Sequence, residues 1–478
     1  MTNEVLLCLT VFIPTLGALT LPILGGLSTK LRNFIAFGLV AAALIGSLSL
    51  LPAVLKGQTV TWQSMQLAGL GISLQADALA VFMAIVSSLV SAIIVAYSSS
   101  YVSHYTHQNE YYLMVVLFLG AMMGLVFAAN LILLYVFWEI TAIASWRLIG
   151  FFREKSYVAK ADKAFLVTAF GALSMLLGFV VIYAQTGSFD LARIKGTALP
   201  DLAVVLIMLG ILSKSATLPF HTWLPDAGVA PSPVTALLHA AVLVKIGVYV
   251  FARLFIVTFT YGADWHTVFM VLAAVSALVS AGAALIDTDL KRIIAYSTVS
   301  QIAFIFLGFA AGNEIGVAGA LLYILMHGVA KGGLFLCAGI VEQKTHTKDI
   351  RQMGGLVKTM PITAVSFLLC SLSVMGVPPF GGFFSKYMVI SGAVQSDHLW
   401  LAATFVFGAV LTILYLFRAF NQVFLGTPLG QTPREGSPIM VGSVALLAAM
   451  SLLSGLIIQP SAQFAYTAVR QMLGVVAK

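Results

Sequence analysis

The stretch that decides the fold covers residues 212–245 and reads LSKSATLPFHTWLPDAGVAPSPVTALLHAAVLVK. It places Lys214 inside an apolar helix and interrupts that helix a few residues later at Pro219. A second apolar helix follows and carries His239 and Lys245. In lipid, a broken helix and buried amines are tolerated only where the backbone and the charges face protein or a water-filled cavity. The stretch therefore predicts an ion pathway inside a membrane protein.

The composition of the whole chain agrees with a membrane location. Of its 478 residues, 60% are hydrophobic and only 9% are charged, and the mean hydropathy is +1.03. Apolar runs of about 20 residues predict an all-α polytopic protein with about 14 transmembrane helices. The runs lie near 4–25, 33–55, 78–101, 111–129, 131–152, 160–185, 201–230, 232–257, 266–286, 290–311, 315–342, 360–395, 398–425 and 437–458. The first run carries Glu4 and lacks a basic leader, so we expect a spanning helix and not a cleaved signal peptide.

Lysine and arginine are distributed unequally between alternate loops. One set of loops contains Lys30, Arg32, Arg153, Lys155, Lys160, Lys163, Lys291, Arg292, Lys344, Lys348, Arg351, Lys358, Arg418 and Arg434. The other set, with the C-terminal tail, contains Lys56, Arg193, Lys195, Arg253, Arg470 and Lys478. The positive-inside rule places the richer set in the cytoplasm and both termini outside. This distribution accounts for most of the formal charge of +8, so no nucleic-acid partner is expected.

Two apolar segments are interrupted by proline, one at Pro219 and one at Pro378 and Pro379. Matching interruptions in two halves of a chain indicate an internally repeated transporter core. We therefore expect four parts. They are 1–110 with three helices and a short external hairpin near 57–77, 111–260 and 261–425 as two five-helix repeats, and 426–478 with the last transmembrane helix and a short tail.

Glu139 lies in the apolar run LLYVFWEITAIASW. A carboxylate at this depth is costly unless it is paired or protonated. We expect it to form an ion pair with Lys214, because a lysine, unlike an arginine, can release its proton when it is desolvated. The alternatives are a carboxylate that only packs helices together and a lysine that snorkels from a helix end.

His239 and Lys245 are six residues apart on one predicted helix. In an α-helix this spacing separates them by about 120° and about 9 Å along the axis. The two side chains cannot face the same point, so we interpret them as successive groups along an ion pathway. The alternative for His239 is a satisfied core histidine.

His327 and Lys331 lie four residues apart in LLYILMHGVAKGGLFL and share a helix face, which Tyr323 extends by one turn. Three such groups in one stripe suit a hydrogen-bonded wire with waters between them. The alternative is polar contacts that merely hold helices together.

Two further basic residues stand inside apolar segments. Lys386 follows the second interruption, in PPFGGFFSK, and mirrors Lys214 loosely. Arg147 lies eight residues beyond Glu139. Because arginine keeps its proton, we expect Arg147 to anchor or pair and not to relay.

These motifs resemble a known family. ADALAVF, FWEITAIASW, KSATLPFHTWLPDA, HAAVLVKIGVY, DLKRIIAYSTVSQ, HGVAKGGLFL and PPFGGFFSK, spread over about 75–425, are similar to the antiporter-like membrane subunits of respiratory complex I, Mrp-type cation/proton antiporters and energy-converting membrane hydrogenases. FFREKSYVAKADKAFLVTAFGALSML and GIVEQKTHTKDIRQMGGL look most like the N-terminal part of the Mrp large subunit.

The resemblance implies a fold of 14 helices with two inverted five-helix repeats, each with a broken helix. It also implies a polar axis along the membrane midplane, in which the matching positions are Glu139, Lys214, His239, His327, Lys331 and Lys386. The chain departs from its relatives at Arg147, where they usually carry an uncharged residue, and at Tyr323, where some carry histidine. It stops about 20 residues after the last predicted span. We therefore expect it to lack the lateral helix and the extra domains of larger relatives.

We expect a proton-translocating subunit, with or without Na⁺ exchange, of a redox-driven complex such as a complex I-like dehydrogenase or a membrane-bound hydrogenase. The sequence has no P-loop and no dinucleotide fingerprint, and its three cysteines have no metal-binding spacing, so we expect no cofactor and no metal. The expected partners are other membrane subunits, including homologous antiporter-like subunits, together with protons, Na⁺ and lipid, in the cell (inner) membrane. One alternative is an Mrp-type Na⁺/H⁺ antiporter without redox chemistry. Another is the membrane subunit of an inorganic-carbon uptake system.

Overall fold

The computed structural model describes residues 2–64, 72–428 and 433–474. The helices in this part of the chain are α1 (Asn3–Gly17), α2 (Leu21–Leu27), α3 (Thr29–Leu55), α4 (Ala78–Tyr101), α5 (Gln108–Phe127), α6 (Leu131–Ile149), α7 (Lys155–Thr186), α8 (Asp201–Lys214), α9 (Trp223–Asp226), α10 (Ser232–Ala236), α11 (Leu243–Phe251), α12 (Asp264–Ile286), α13 (Leu290–Ala310), α14 (Glu314–Thr345), α15 (Pro361–Met375), α16 (Gly381–Gln395), α17 (Leu399–Phe424), α18 (Pro438–Leu456) and α19 (Ile458–Leu473). The strands are β1 (Val60–Gln63) and β2 (Ser73–Ala76).

The predicted all-α membrane fold is confirmed. Within the described residues, 12 helical stretches are long and apolar enough to cross a membrane. The two proline-interrupted segments, α8 with the turn after it and α15 with α16, bring the number of crossings to about the predicted 14.

The centre of the bundle is formed by α4, α13, α14 and the segment from α10 to α11. About nine-tenths of the most apolar window of each of these spans is buried, against only a third in the N-terminal spans. The outer helices turn large apolar side chains outward, as α7 does with Leu166 and Leu173. Polar groups that lipid would penalise therefore lie on helices that protein surrounds.

The predicted hairpin near 57–77 is present where the structure describes it, and its position outside the membrane stays a prediction. The strands β1 and β2 pair antiparallel, with Thr61 opposite Gln75. The stretch 65–71 lies outside the described residues.

The segment predicted as a short tail forms α19 instead. This helix packs against α14 and α4, and the Gln471 side chain accepts a hydrogen bond from Ala78 N at 2.8 Å. The apolar runs did not indicate this helix because α19 is amphipathic, and its polar face lowers the hydropathy of the segment.

Both predicted helix interruptions are confirmed. The helix α8 ends at Lys214, one turn earlier than Pro219, and α15 ends at Met375, before Pro378 and Pro379. The Leu218–Pro219 and Pro378–Pro379 peptide bonds are both cis. Each break frees backbone groups that side chains then bind: Leu218 N donates to Ser276 Oγ at 3.1 Å.

The helix predicted to carry both His239 and Lys245 is not continuous. It consists of α10, a π-helical turn over Leu237–Ala241, α11 and a second π-helical turn over Ala252–Thr258. The predicted separation of 120° and 9 Å therefore does not apply. A π-helical turn adds a residue to the turn without changing the composition, so the apolar pattern could not reveal it.

Candidate functional site

Lys214 is the last residue of α8, and its side chain is fully buried. Its Nζ donates to the carbonyl oxygen of Trp138 at 3.2 Å and lies 5.2 Å from the centre of the Trp138 ring. Glu139 follows Trp138 on α6 and is only partly buried. No Glu139 oxygen lies within 4.0 Å of the Lys214 amine, and the predicted ion pair between these two residues stays a prediction. Glu139 acts on Lys214 electrostatically over a longer distance.

Lys245 lies on α11 and is fully buried. Its Nζ donates to the carbonyl oxygen of Ile324 on α14 at 2.8 Å. Gly328, one turn further along α14, leaves the space that the amine occupies, since a Cβ at that position would collide with Lys245 Nζ.

The two central histidines are fully buried, and none of their ring nitrogens has a hydrogen-bond partner among the described residues. His239 sits in the π-helical turn and packs against Phe335, with ring centres 4.4 Å apart. His327 faces Tyr323, with ring centres 6.0 Å apart. Lys245 and Lys331 both act electrostatically on His327. Each imidazole is therefore a buried group with free hydrogen-bonding capacity.

Lys331 begins a polar network that crosses three helices. Its Nζ donates to Ser297 Oγ at 2.5 Å, and Ser297 Oγ lies 2.7 Å from the Tyr415 hydroxyl. Gln301 Nε2 lies 3.4 Å from the same hydroxyl, and Gln301 Oε1 accepts from the Tyr323 hydroxyl at 2.5 Å. All five side chains are almost completely buried.

Lys386, on α16, lies at the far side of this network and is nearly fully buried. Its Nζ donates to the carbonyl oxygen of Val374 at 2.7 Å, a group that the second helix break sets free. The amine lies 4.5 Å from the ring centre of Phe304 and 5.6 Å from that of Tyr323. Tyr323 therefore touches both the network and the last amine.

Lys214, Lys245, Lys331 and Lys386 form what we call the buried-amine row. Within the described residues, no carboxylate lies within 4.0 Å of any of these four amines. Carbonyl oxygens, one hydroxyl and aromatic rings hold them instead. Burying an unpaired ammonium is expensive, so such amines are suited to binding and releasing a proton.

Permanent charges, by contrast, are paired at the ends of the bundle. Arg147 donates to Glu110 Oε1 through Nε at 2.7 Å, and Arg153 reaches the other oxygen at 2.6 Å, so Arg147 is an anchor. At the opposite end, Arg253 forms a buried bidentate pair with Asp77. Burial acts to raise the pKa of Asp77, but the guanidinium outweighs it and holds the pKa below its usual value.

Several of these partners were not predicted from the sequence. Ser297 and Gln301 lie within the quoted motif DLKRIIAYSTVSQ, so their position in a motif was the available signal. Tyr415 gave none, because it stands alone on a lipid-facing helix 118 residues from Ser297. Within the described residues, no group of three or more His, Cys, Asp or Glu side chains could hold a metal ion.

Fold and site together define a multi-span membrane protein with a row of ionisable groups through its interior. The family model described as "NADH:quinone oxidoreductase/Mrp antiporter, TM" matches residues 128–412, more than half of the chain. The chain belongs to this family.

Curated relatives share much of the sequence. The chain is 36% identical over 404 residues to the A subunit of the Na⁺/H⁺ antiporter of Alkalihalophilus pseudofirmus, covering 74% of this chain and 49% of the relative. It is 33% identical over 515 residues to the A1 subunit of the Na⁺/H⁺ antiporter of Staphylococcus haemolyticus, covering 99% of this chain and 64% of the relative. The chain thus spans about half to two-thirds of the length of these relatives.

Two solved structures share the fold. A chain of the Mrp complex from Dietzia sp. DQ12-45-1b matches with a TM-score of 0.92 at 25% identity, over 99% of this chain and 98% of the other. A chain of the membrane-bound sulfane sulfur reductase, an archaeal respiratory membrane complex, matches with a TM-score of 0.89 at 23% identity, over 98% and 97%. The second likeness concerns the fold alone.

Proposed function

We propose that the protein is a proton-translocating subunit of a multisubunit Na⁺/H⁺ antiporter of the Mrp type. The observation that carries this proposal is the buried-amine row, four desolvated lysines that contact no carboxylate in the described part of the chain. Sodium and the other membrane subunits as partners are inferred from the names of the relatives. The residues of this chain supply the proton pathway.

Protons would move between buried ionisable side chains that lie close enough to interact electrostatically. Lys245 acts electrostatically on His327, and Lys331 acts on both His239 and His327. From Lys331 the hydroxyls of Ser297 and Tyr415, followed by Gln301 and Tyr323, extend toward Lys386. Because hydroxyl groups both donate and accept, Ser297 and Tyr415 can pass a proton and then reorient. The Gln301 amide donates to Tyr415 and accepts from Tyr323, so it orients these two hydroxyls and does not itself carry the proton, which would cross beside it on water.

At the other end of the buried-amine row, we propose that Glu139 controls how firmly Lys214 holds its proton. Since these groups are more than 4.0 Å apart, their attraction at an effective dielectric near 20 is at most about 4 kcal/mol. A change in the position or protonation of Glu139 would therefore alter how firmly Lys214 keeps its proton. Because Glu139 is partly exposed, a neighbouring subunit could make that change.

The redox-driven complex and the inorganic-carbon system are the competing functions, and one experiment separates them. The complete complex, purified with its partners, is reconstituted into proteoliposomes and given a Na⁺ gradient without an electron donor. We expect proton movement opposite to Na⁺. Proton translocation that requires an electron donor would favour the redox-driven complex, and co-purification of a large soluble zinc-type subunit would favour carbon uptake.

A further inference from the structure

Glu342 occupies the last turns of α14, at the end of the bundle that the charge distribution assigns to the cytoplasm. Its side chain is 24% exposed, and it binds three groups at once. Lys291 Nζ lies 3.1 Å from Oε2, Lys348 Nζ lies 3.3 Å from Oε1, and Ser232 Oγ donates to Oε2 at 3.2 Å. The Glu342 carboxylate is thus in contact with solvent on one side and with the buried Ser232 hydroxyl on the other.

The surroundings of Glu342 are fixed by backbone contacts. Lys291 Nζ also donates to the carbonyl oxygen of Ala230 at 2.8 Å, just before α10 begins. Leu290 N donates to the carbonyl oxygen of Lys348 at 2.9 Å, so the loop that carries the second lysine is tied to the start of α13. Backbone hydrogen bonds therefore hold both lysines, including the loop that carries Lys348, in place around Glu342.

A line of polar groups leads inward from Glu342 to His239. Ser232 and Thr235 are fully buried on α10, which continues directly into the π-helical turn that carries His239. Ser232 and His239 are seven residues apart on this helical segment, so the rise between them is at most about 10 Å, a gap that ordered waters can bridge. His239 has no hydrogen-bond partner among the described residues, and Lys291 is one of two cations that act on it.

We propose that Glu342 is the cytoplasmic proton-uptake site that loads His239, with Ser232 and Thr235 as the intermediate hydroxyls. A hydronium ion gives its proton to the Glu342 carboxylate. The carboxylic acid passes the proton to Ser232 as that hydroxyl gives its own proton inward, which regenerates the carboxylate and protonates an imidazole nitrogen of His239. Two adjacent ammonium groups favour the carboxylate, so the proton is not trapped at Glu342. This inference rests on the proposed proton translocation.

The test compares two glutamates of the same helix in the complete complex. Glu342→Gln keeps the size of the side chain but cannot bind the proton, whereas Glu314→Gln removes an exposed carboxylate at the opposite end of α14. We expect Glu342→Gln to slow Na⁺-driven proton exchange at least about tenfold, and to change its dependence on cytoplasmic but not external pH. Glu314→Gln should exchange at the parent rate.

A thiol variant separates proton uptake from a structural role. Glu342→Cys should be slow and should recover when a methanethiosulfonate reagent attaches a carboxyethyl group, but not when the reagent attaches an aminoethyl group. The parent, treated alike, controls for its own cysteines. Parent-like exchange by Glu342→Gln, or equal recovery with both reagents, would overturn the proposal. A parent complex that exchanges no protons would instead overturn the proposed function.

Discussion

Gly328 allows a single methyl group to test whether the position of the Lys245 amine matters. In Gly328→Ala, the new Cβ would overlap Lys245 Nζ and lie 3.2 Å from the carbonyl oxygen of Ala240. The amine is the flexible end of its side chain, so it would move by about 1 Å, and the helix would not have to shift. Alanine also favours the helix over glycine by about 1 kcal/mol, so we expect the protein to fold and assemble.

We expect Gly328→Ala to lower the rate of proton exchange. The displaced amine loses its hydrogen bond to Ile324 at 2.8 Å. A hydrogen bond to a charged group is worth about 1.5 to 3 kcal/mol. If the amine must occupy this position in the slowest step, exchange should fall by about 10-fold to 150-fold.

The matched control is Gly332→Ala, one turn further along α14. There the new Cβ would meet only the apolar atoms of Val90, Leu447 and Ala240, at 3.3 Å or more. Both variants are assembled with their partners, and initial rates of Na⁺-driven proton exchange are measured in proteoliposomes. Parent-like exchange by Gly328→Ala, or equal loss in both variants, would refute the reasoning that the Lys245 amine has a required position.

Two further predictions concern the network and the outer ion pair. Tyr323→Phe removes the hydroxyl that donates to Gln301 Oε1, so the rate of proton exchange should fall about tenfold. The thermal stability of the complex should change little. An unchanged exchange rate would show that Tyr323 is not part of the pathway. Asp77→Asn leaves Arg253 buried without its partner and should cost about 3 to 5 kcal/mol, seen as a lower melting temperature in detergent. Because the pKa of Asp77 is lowered in the folded protein, the stability that the pair provides is complete above the ordinary aspartate pKa and is lost as the pH falls through the lowered value. The parent should therefore lose its advantage over Asp77→Asn in acid, and a difference in melting temperature that does not depend on pH would contradict this linkage.

The features that could be predicted from the sequence are those that depend on the local pattern of residues. Apolar length located the spans, and proline located both interruptions, because each acts on its own segment. Isolated charges in apolar runs identified Lys214, Lys331 and Lys386 as buried groups, since a charge in such a run is costly unless it serves a purpose.

What the sequence could not predict depends on contacts between distant segments or on backbone detail. Ser297 and Tyr415 are ordinary polar residues until the fold brings α13 and α17 together. Asp77 and Arg253 are 176 residues apart, so their pair had no local signal. The π-helical turn at His239 depends on exact backbone angles, which the apolar period does not record.

The central claim is that the buried-amine row carries protons and is not a set of structural cations. The most direct test is Na⁺-driven proton exchange by Lys214→Arg in the assembled complex, beside Lys214→Ala, Glu139→Gln and Glu139→Asp. Arginine keeps the positive charge, the hydrogen-bond donors and the stacking on Trp138, but it holds its proton at physiological pH. We expect both Lys214 variants to lose most exchange, Glu139→Gln to be impaired and Glu139→Asp to be affected less. If Lys214→Arg exchanges protons like the parent, Lys214 is a structural cation and the central claim is wrong.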